Sequence, residues 1–176
     1  MDPCDHLLQI YGNENVFLDA LEGFVGSALR CGEGAVVIAT APHIHELEKR
    51  LRGRWIDVDR ARWQHQYVAV LARETLLKFM VNDWPDEELF SKVAGKLLAD
   101  ARGADGRKVR AFGEMVSVLW AQGNVAAALR LELLWSKVAT VEKFPVFCAY
   151  PRAGFEAHEA APMQSLCAAH SQLLPG

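Results

Sequence analysis

The residues best placed to do chemistry are Gly113 and Glu114, which end a strand-like run, Val109 to Phe112, and precede an apolar helical pattern. Gly113 frees the chain to turn tightly, and Glu114 falls in the first helical turn, where the backbone dipole favours a negative charge. In an open α/β sheet, ligands bind outside the carboxyl ends of the strands. A parallel sheet gathers several further groups on that edge: Tyr11, Gly12 and Asn13 after the first strand, Thr40 after the second, Arg73, Glu74 and Thr75 after the third, and Tyr150 after the last. Apolar walls with a few convergent polar groups are how small-molecule pockets are built. Glu114, Glu74, Tyr11 and Arg73 are therefore the leading ligand-binding candidates, with Arg110 as a second cation for Glu114. The plainer reading is that Glu114 complements the helix dipole and that Arg73 and Glu74 cap a helix.

The other titratable groups are less directive. His43 and His45 are two apart, so on a helix they point different ways and cannot chelate one metal as an i, i+4 pair could. His170 falls in a stripe with Met163, Leu166, Cys167 and Leu174, which suits a hydrogen-bonded core histidine. His6 and His170 stand as further ligand-binding candidates. A metal site at His6, Cys148 and His170 stays open although nothing in their spacing supports it, and no metal ligand and no cofactor is assigned. Glu132 shares a helix face with Val125, Ala128 and Leu129; if half buried it needs a partner such as Arg110.

Two chemistries are excluded by missing parts. A phosphate loop needs close glycines, a lysine and a hydroxyl, whereas the turn from Gly12 to Phe17 has no second glycine, no lysine and no hydroxyl, and carries Glu14. ATP hydrolysis and magnesium-dependent ATP binding are therefore not expected. Trp84, Pro85 and Asp86 resemble the acid loop of tyrosine phosphatases, but Cys148 lacks the phosphate-cradling loop after it, and the arginine falls at 152. Asp86 reads instead as the N-cap of a helix.

The elements that must position these groups alternate. Residues 7–11 make a short strand. A helix follows from Val16 with Phe17, Ala20, Leu21, Phe24, Val25, Ala28 and Leu29 on its buried face. Ala35–Ala39 and Tyr67–Leu71 are continuous apolar strands of the kind buried on both faces of a parallel sheet. Thr40 reads as the cap of the intervening helix, and residues 52–66 as a loop or hairpin excursion. Helices are expected after Asp86, from Met115, after Asn124 and after Pro162, with Val109–Phe112 and Val146–Tyr150 as further strands. Strand–helix alternation throughout predicts one α/β domain over residues 1–176, with a mainly parallel central sheet, helices on both faces, and Ala35–Ala39, Tyr67–Leu71, Val109–Phe112 and Val146–Tyr150 as neighbours.

Several of these blocks resemble the MEDS domain, the methanogen/methylotroph DcmR-type sensory domain. They are Asp5-His6; Glu74-Thr75-Leu76 with Phe79-Met80; Trp84-Pro85-Asp86; Arg110 to Val116; Leu119-Trp120; Gly123-Asn124; Leu131 to Trp135; Phe147 to Pro151; and Cys167 to Ser171, in order along nearly the whole chain. The resemblance implies a non-enzymatic sensor with a RecA/KaiC-like core that has lost its nucleotide loop. It also implies a small-molecule ligand and service in signal transduction or transcriptional regulation, through a histidine kinase, a regulator or self-association. The alternative is a divergent nucleotide binder or enzyme using Glu114, and a third reading is an interaction scaffold descended from an ATPase.

Composition is consistent with this. The 176 residues are 51% hydrophobic and 23% charged, enough for a sizeable core. A net charge of -3 argues against a dedicated nucleic-acid or anionic-membrane surface, which needs clustered Lys and Arg. No signal peptide is visible, and the apolar region from Met115 to Leu129 is broken by Gln122, Gly123 and Asn124, too short for a membrane span. Cys4, Cys31, Cys148 and Cys167 have no paired spacing, which suits buried reduced thiols and a cytoplasmic location.

Overall fold

A computed structural model of the chain describes residues 5–154 and 160–176. Six strands form one parallel sheet in the order β3-β2-β6-β7-β1-β8. They are β1 (His6–Tyr11), β2 (Gly34–Ala39), β3 (Tyr67–Leu71), β6 (Val109–Gly113), β7 (Val146–Pro151) and β8 (Gln172–Leu174), with a two-stranded antiparallel ribbon, β4 (Met80–Val81) and β5 (Trp84–Pro85), outside it. The four apolar runs expected to be neighbours are consecutive in that order.

Alternation along each strand sends successive side chains to opposite faces. Ala35, Val37 and Ala39 of β2 join one apolar cluster with α1 (Glu14–Arg30), α2 (Ala41–Gly53) and α3 (Val58–Trp63). Val36 and Ile38 join a second with α4 (Ala72–Leu76), α5 (Glu87–Arg102), α6 (Met115–Ala121), α7 (Val125–Glu142) and Leu166 of α8 (Ala160–Ala168). The sheet is thus covered on both faces, as its near-continuous hydrophobic strands require.

Local chemistry sets the helix starts. Asn13 accepts from the Asn15 amide at 2.8 Å, Asp86 accepts from the Leu89 amide at 2.8 Å as its sequence position predicts, and Asn124 accepts from the Ala127 amide. Thr40 stands at the N-cap of α2 but makes no side-chain capping bond. Its hydroxyl is turned elsewhere, as described below. The 52–66 stretch is not a hairpin: α2 runs on to Gly53, and Asp57 caps the short helix α3 through the Arg60 amide at 2.9 Å. The terminal helix begins ahead of Pro162 and ends at Ala168, so Leu174 lies on an edge strand rather than on a helical stripe. Met163 and Cys4, named in the sequence reading, lie outside the described side chains. Of the remaining cysteines only Cys148 is buried, while Cys31 and Cys167 are exposed. No helix among the described residues is long and apolar enough to cross a membrane.

Candidate functional site

The strand β2 leaves the sheet toward α2 on one face, whereas its neighbours β3 and β6 leave toward α4 and α6 on the other. Chains that diverge this way open a crevice at the carboxyl edge. A cleft of about 350 Å³ lies between the β2 and β3 exits, lined by Ala39, Thr40, Ala41, Pro42, Leu71, Ala72, Arg73 and Glu74. Arg73 and Glu74 bring its charges, and most of the rest is aliphatic.

Glu114 closes the other side of the β2 exit. Its amide donates to the Ile38 carbonyl at 2.8 Å, which holds the start of α6 against the end of β2. Its side chain is only 9% exposed. Rather than capping α6, the carboxylate reaches across: Oε2 accepts from the Thr40 amide at 2.7 Å, and Oε1 from the Thr40 hydroxyl at 3.4 Å. Oε1 also lies 2.8 Å from His43 Nδ1, while His43 Nε2 lies 3.0 Å from Glu14 Oε1. An imidazole with a carboxylate on each nitrogen is a donor at both, which is the protonated form. Tyr11 stacks on Phe17, which in turn meets His43 edge-on. Burial, then the charges of Glu114 and Glu14, push the Tyr11 phenol up to about 12.

Burial lowers the His43 pKa, but hydrogen bonds and charge from Glu114 and Glu14 outweigh it, and the net shift is upward. A raised histidine pKa stabilises the fold fully below the unfolded value of about 6.5 and loses that contribution as pH rises through the folded value. Proton NMR of the imidazole should accordingly give a His43 midpoint above 6.5 in wild type and a lower one in Glu114→Gln. An unchanged midpoint in the variant would remove Glu114 as the cause.

The turn after β1 is spent on the fold itself. The Asn13 carbonyl accepts from the Val16 and Phe17 amides, and its side chain accepts from Asn15. Backbone donors that a phosphate loop would present are here bound within the protein.

Of the other sequence candidates, Arg110 is elsewhere. On β6 it alternates with Val109 and Ala111, pointing toward α1. There its Nε donates to Glu33 at 2.6 Å and its Nη1 to the Ser27 hydroxyl at 2.9 Å, near the beginning of β2. It partners neither Glu114 nor Glu132.

His6 and His170 meet in a second, separate cluster beneath α7, their ring centroids 3.9 Å apart. Glu132 is fully buried there rather than half buried. Its Oε1 accepts from the Tyr150 hydroxyl at 2.6 Å, and its Oε2 lies 3.2 Å from His6 Nε2 and 3.3 Å from His170 Nε2. The Cys148 thiol is 3.4 Å from His6 Nε2. Burial opposes the Glu132 charge, yet the two histidines hold its carboxyl far below the usual range; burial and that same charge push the Cys148 thiol and the Tyr150 phenol well up. Sequence reasoning missed His43 as a partner of Glu114, and missed Glu132, Tyr150 and Ser136 as partners of the His6, Cys148 and His170 group that it had named. The available signal was Ser136, one helical turn beyond Glu132 on an otherwise apolar face.

A family model described as MEDS, the MEthanogen/methylotroph, DcmR Sensory domain, matches residues 5–170, from just before His6 to His170. No curated protein matches the sequence. With nearly its whole length matched, the chain belongs to the MEDS family of sensory domains.

Proposed function

We propose that this domain senses a small organic molecule bound in the cleft between the β2 and β3 exits, without transforming it, and passes the change to a partner protein. The observation that carries this reading is the buried Glu114 carboxylate, fastened to Thr40, a residue of the cleft wall, and to His43 on α2. A ligand in the cleft would press on Thr40, and Glu114 links that residue to α6 on the opposite face. Binding is thereby coupled to the relative placement of α2 and α6, which a histidine kinase, a regulator or a second copy of the domain would read. The aliphatic lining, with Arg73 and Glu74 at its rim, suits a mostly apolar ligand bearing one polar group.

Native mass spectrometry of freshly purified protein, followed by a thermal-shift panel of short-chain alcohols, amines, acids and halides, should reveal a binder. Glu114→Gln keeps the shape and removes the charge, and losing a charged hydrogen bond costs about 1.5–3 kcal/mol. The variant should lose most of the ligand-induced melting shift. Equal shifts in the two proteins would reduce Glu114 to a structural group and sink the coupling.

A further inference from the structure

We propose that His6, Glu132, Cys148 and His170 bind one divalent ion of the zinc class, in a closed four-ligand site that ties the C-terminal segment to β1, α7 and β7. The donor set is complete: two imidazole nitrogens, a thiol sulfur and a carboxylate oxygen, all within 4.8 Å of one another. A tetrahedral ion with bonds of about 2.0–2.3 Å needs donors roughly 3.3–3.8 Å apart. Three of the separations in this cluster are 3.2, 3.3 and 3.4 Å. Small side-chain rotations close the rest.

Hydrogen bonds around the cluster aim the ligands inward. The His170 Nδ1 is 2.7 Å from the Leu166 carbonyl, which can only accept, so Nδ1 carries a proton and Nε2 is the nitrogen turned to the centre. The Ser136 hydroxyl donates to the Ala169 carbonyl at 3.2 Å, so its oxygen accepts from His6 Nδ1 at 2.8 Å. His6 is thereby turned to the centre in the same way. Tyr150 donates to Glu132 Oε1 and leaves Oε2 for the centre. Outer partners of this kind are what orient and tune metal ligands.

Glu132 Oε2 and His170 Nε2 are both fully buried and face each other at 3.3 Å, without a well-formed hydrogen bond at either atom among the described residues. Two imidazole nitrogens and a carboxylate oxygen converging on one dry point need a positive charge between them, which a proton supplies in the empty site and a metal ion replaces. A divalent ion meets that need and closes the charge: with Cys148 as thiolate, Glu132 as carboxylate and both histidines neutral, the site sums to zero. On binding, the metal–sulfur and metal–nitrogen bonds form as the Cys148 proton and any proton on the two Nε2 atoms leave to solvent. Tyr150 keeps its own proton, and nothing is oxidised or reduced. Thiolate with imidazole favours zinc over magnesium or calcium, which require oxygen ligands.

The test uses untagged full-length protein purified under reductant without chelator. Elemental analysis should find zinc near one equivalent per chain. X-ray absorption on that protein should show one sulfur to three nitrogen or oxygen neighbours. After chelation, cobalt titration should give the strong visible bands of a four-coordinate ion with a thiolate charge-transfer band. That band should disappear in Cys148→Ser and persist in Cys31→Ser. A metal-free preparation that takes up no cobalt, or a wild-type ion without a sulfur neighbour, would overturn the site. So would a charge-transfer band unchanged in Cys148→Ser. The absorption experiment needs no variant, so a misfolded Cys148→Ser leaves the question decided.

Discussion

Glu132→Ala should destabilise the domain by about 3–5 kcal/mol, the range for removing one partner of a buried ionic cluster. The carboxylate is wholly enclosed, and it serves four groups at once: the Tyr150 hydroxyl, His6, His170 and, through the charge it imposes, the Cys148 thiol. Alanine removes the carboxylate that accepts from the phenol and adds a cavity beside His6, Tyr150 and His170. Glu132→Gln keeps an oxygen for Tyr150 and most of the volume while removing the charge, so its cost should be smaller, about 1–3 kcal/mol. Urea unfolding of chelator-treated proteins isolates this contribution from any bound ion. An alanine variant within 1 kcal/mol of wild type would mean that the cluster tolerates an uncompensated pair of histidines, and the account of Glu132 given above would fail.

The sheet was readable because β3, β2, β6 and β7 are largely apolar runs, the mark of strands covered on both faces. The ends of the molecule were harder. The three-residue strand β8 joins the sheet by pairing with β1, a contact between residues more than 160 positions apart, and its composition carries no mark of it. The same distance hid the cluster around Glu132. His6, Glu132, Cys148 and His170 come from β1, α7, β7 and the segment after α8, and spacing arguments apply only within one element. At the carboxyl edge, the parallel-sheet rule did bring Tyr11, Thr40, Arg73, Glu74 and Glu114 to one side. It did not show that Glu114 would take the amide of Thr40, because which loop lies beside Glu114 depends on β2 and β6 being adjacent. Arg110 illustrates the converse. Strand alternation assigns it a face, but its partner Glu33 follows only once β6 is laid beside β2.

Trp135→Ala should have a comparable effect, about 3–5 kcal/mol, the range for truncating a buried aromatic in a core. Its ring is 1% exposed and packs edge-on against Phe90, with centroids 5.1 Å apart. It also lies over Gly113, the last residue of β6 and the one before Glu114. A methyl added at Gly113 would meet the indole Nε1 at 3.2 Å and Cε2 at 3.4 Å. The absence of a side chain at 113 is therefore what lets α7 settle onto the strand that carries Glu114. Among the described residues the indole N–H has no hydrogen-bond partner, an unfavourable feature that phenylalanine would remove. Trp135→Phe should then cost much less than alanine, since shape is partly kept and a buried orphan donor is lost. The contact also predicts a coupling. Gly113→Ala should destabilise wild type by about 1–3 kcal/mol through overpacking, and far less in the Trp135→Phe background, where the blocking atoms are gone. A four-protein unfolding cycle measures this directly. Equal costs in both backgrounds would show that Gly113 is glycine for some reason other than the indole above it.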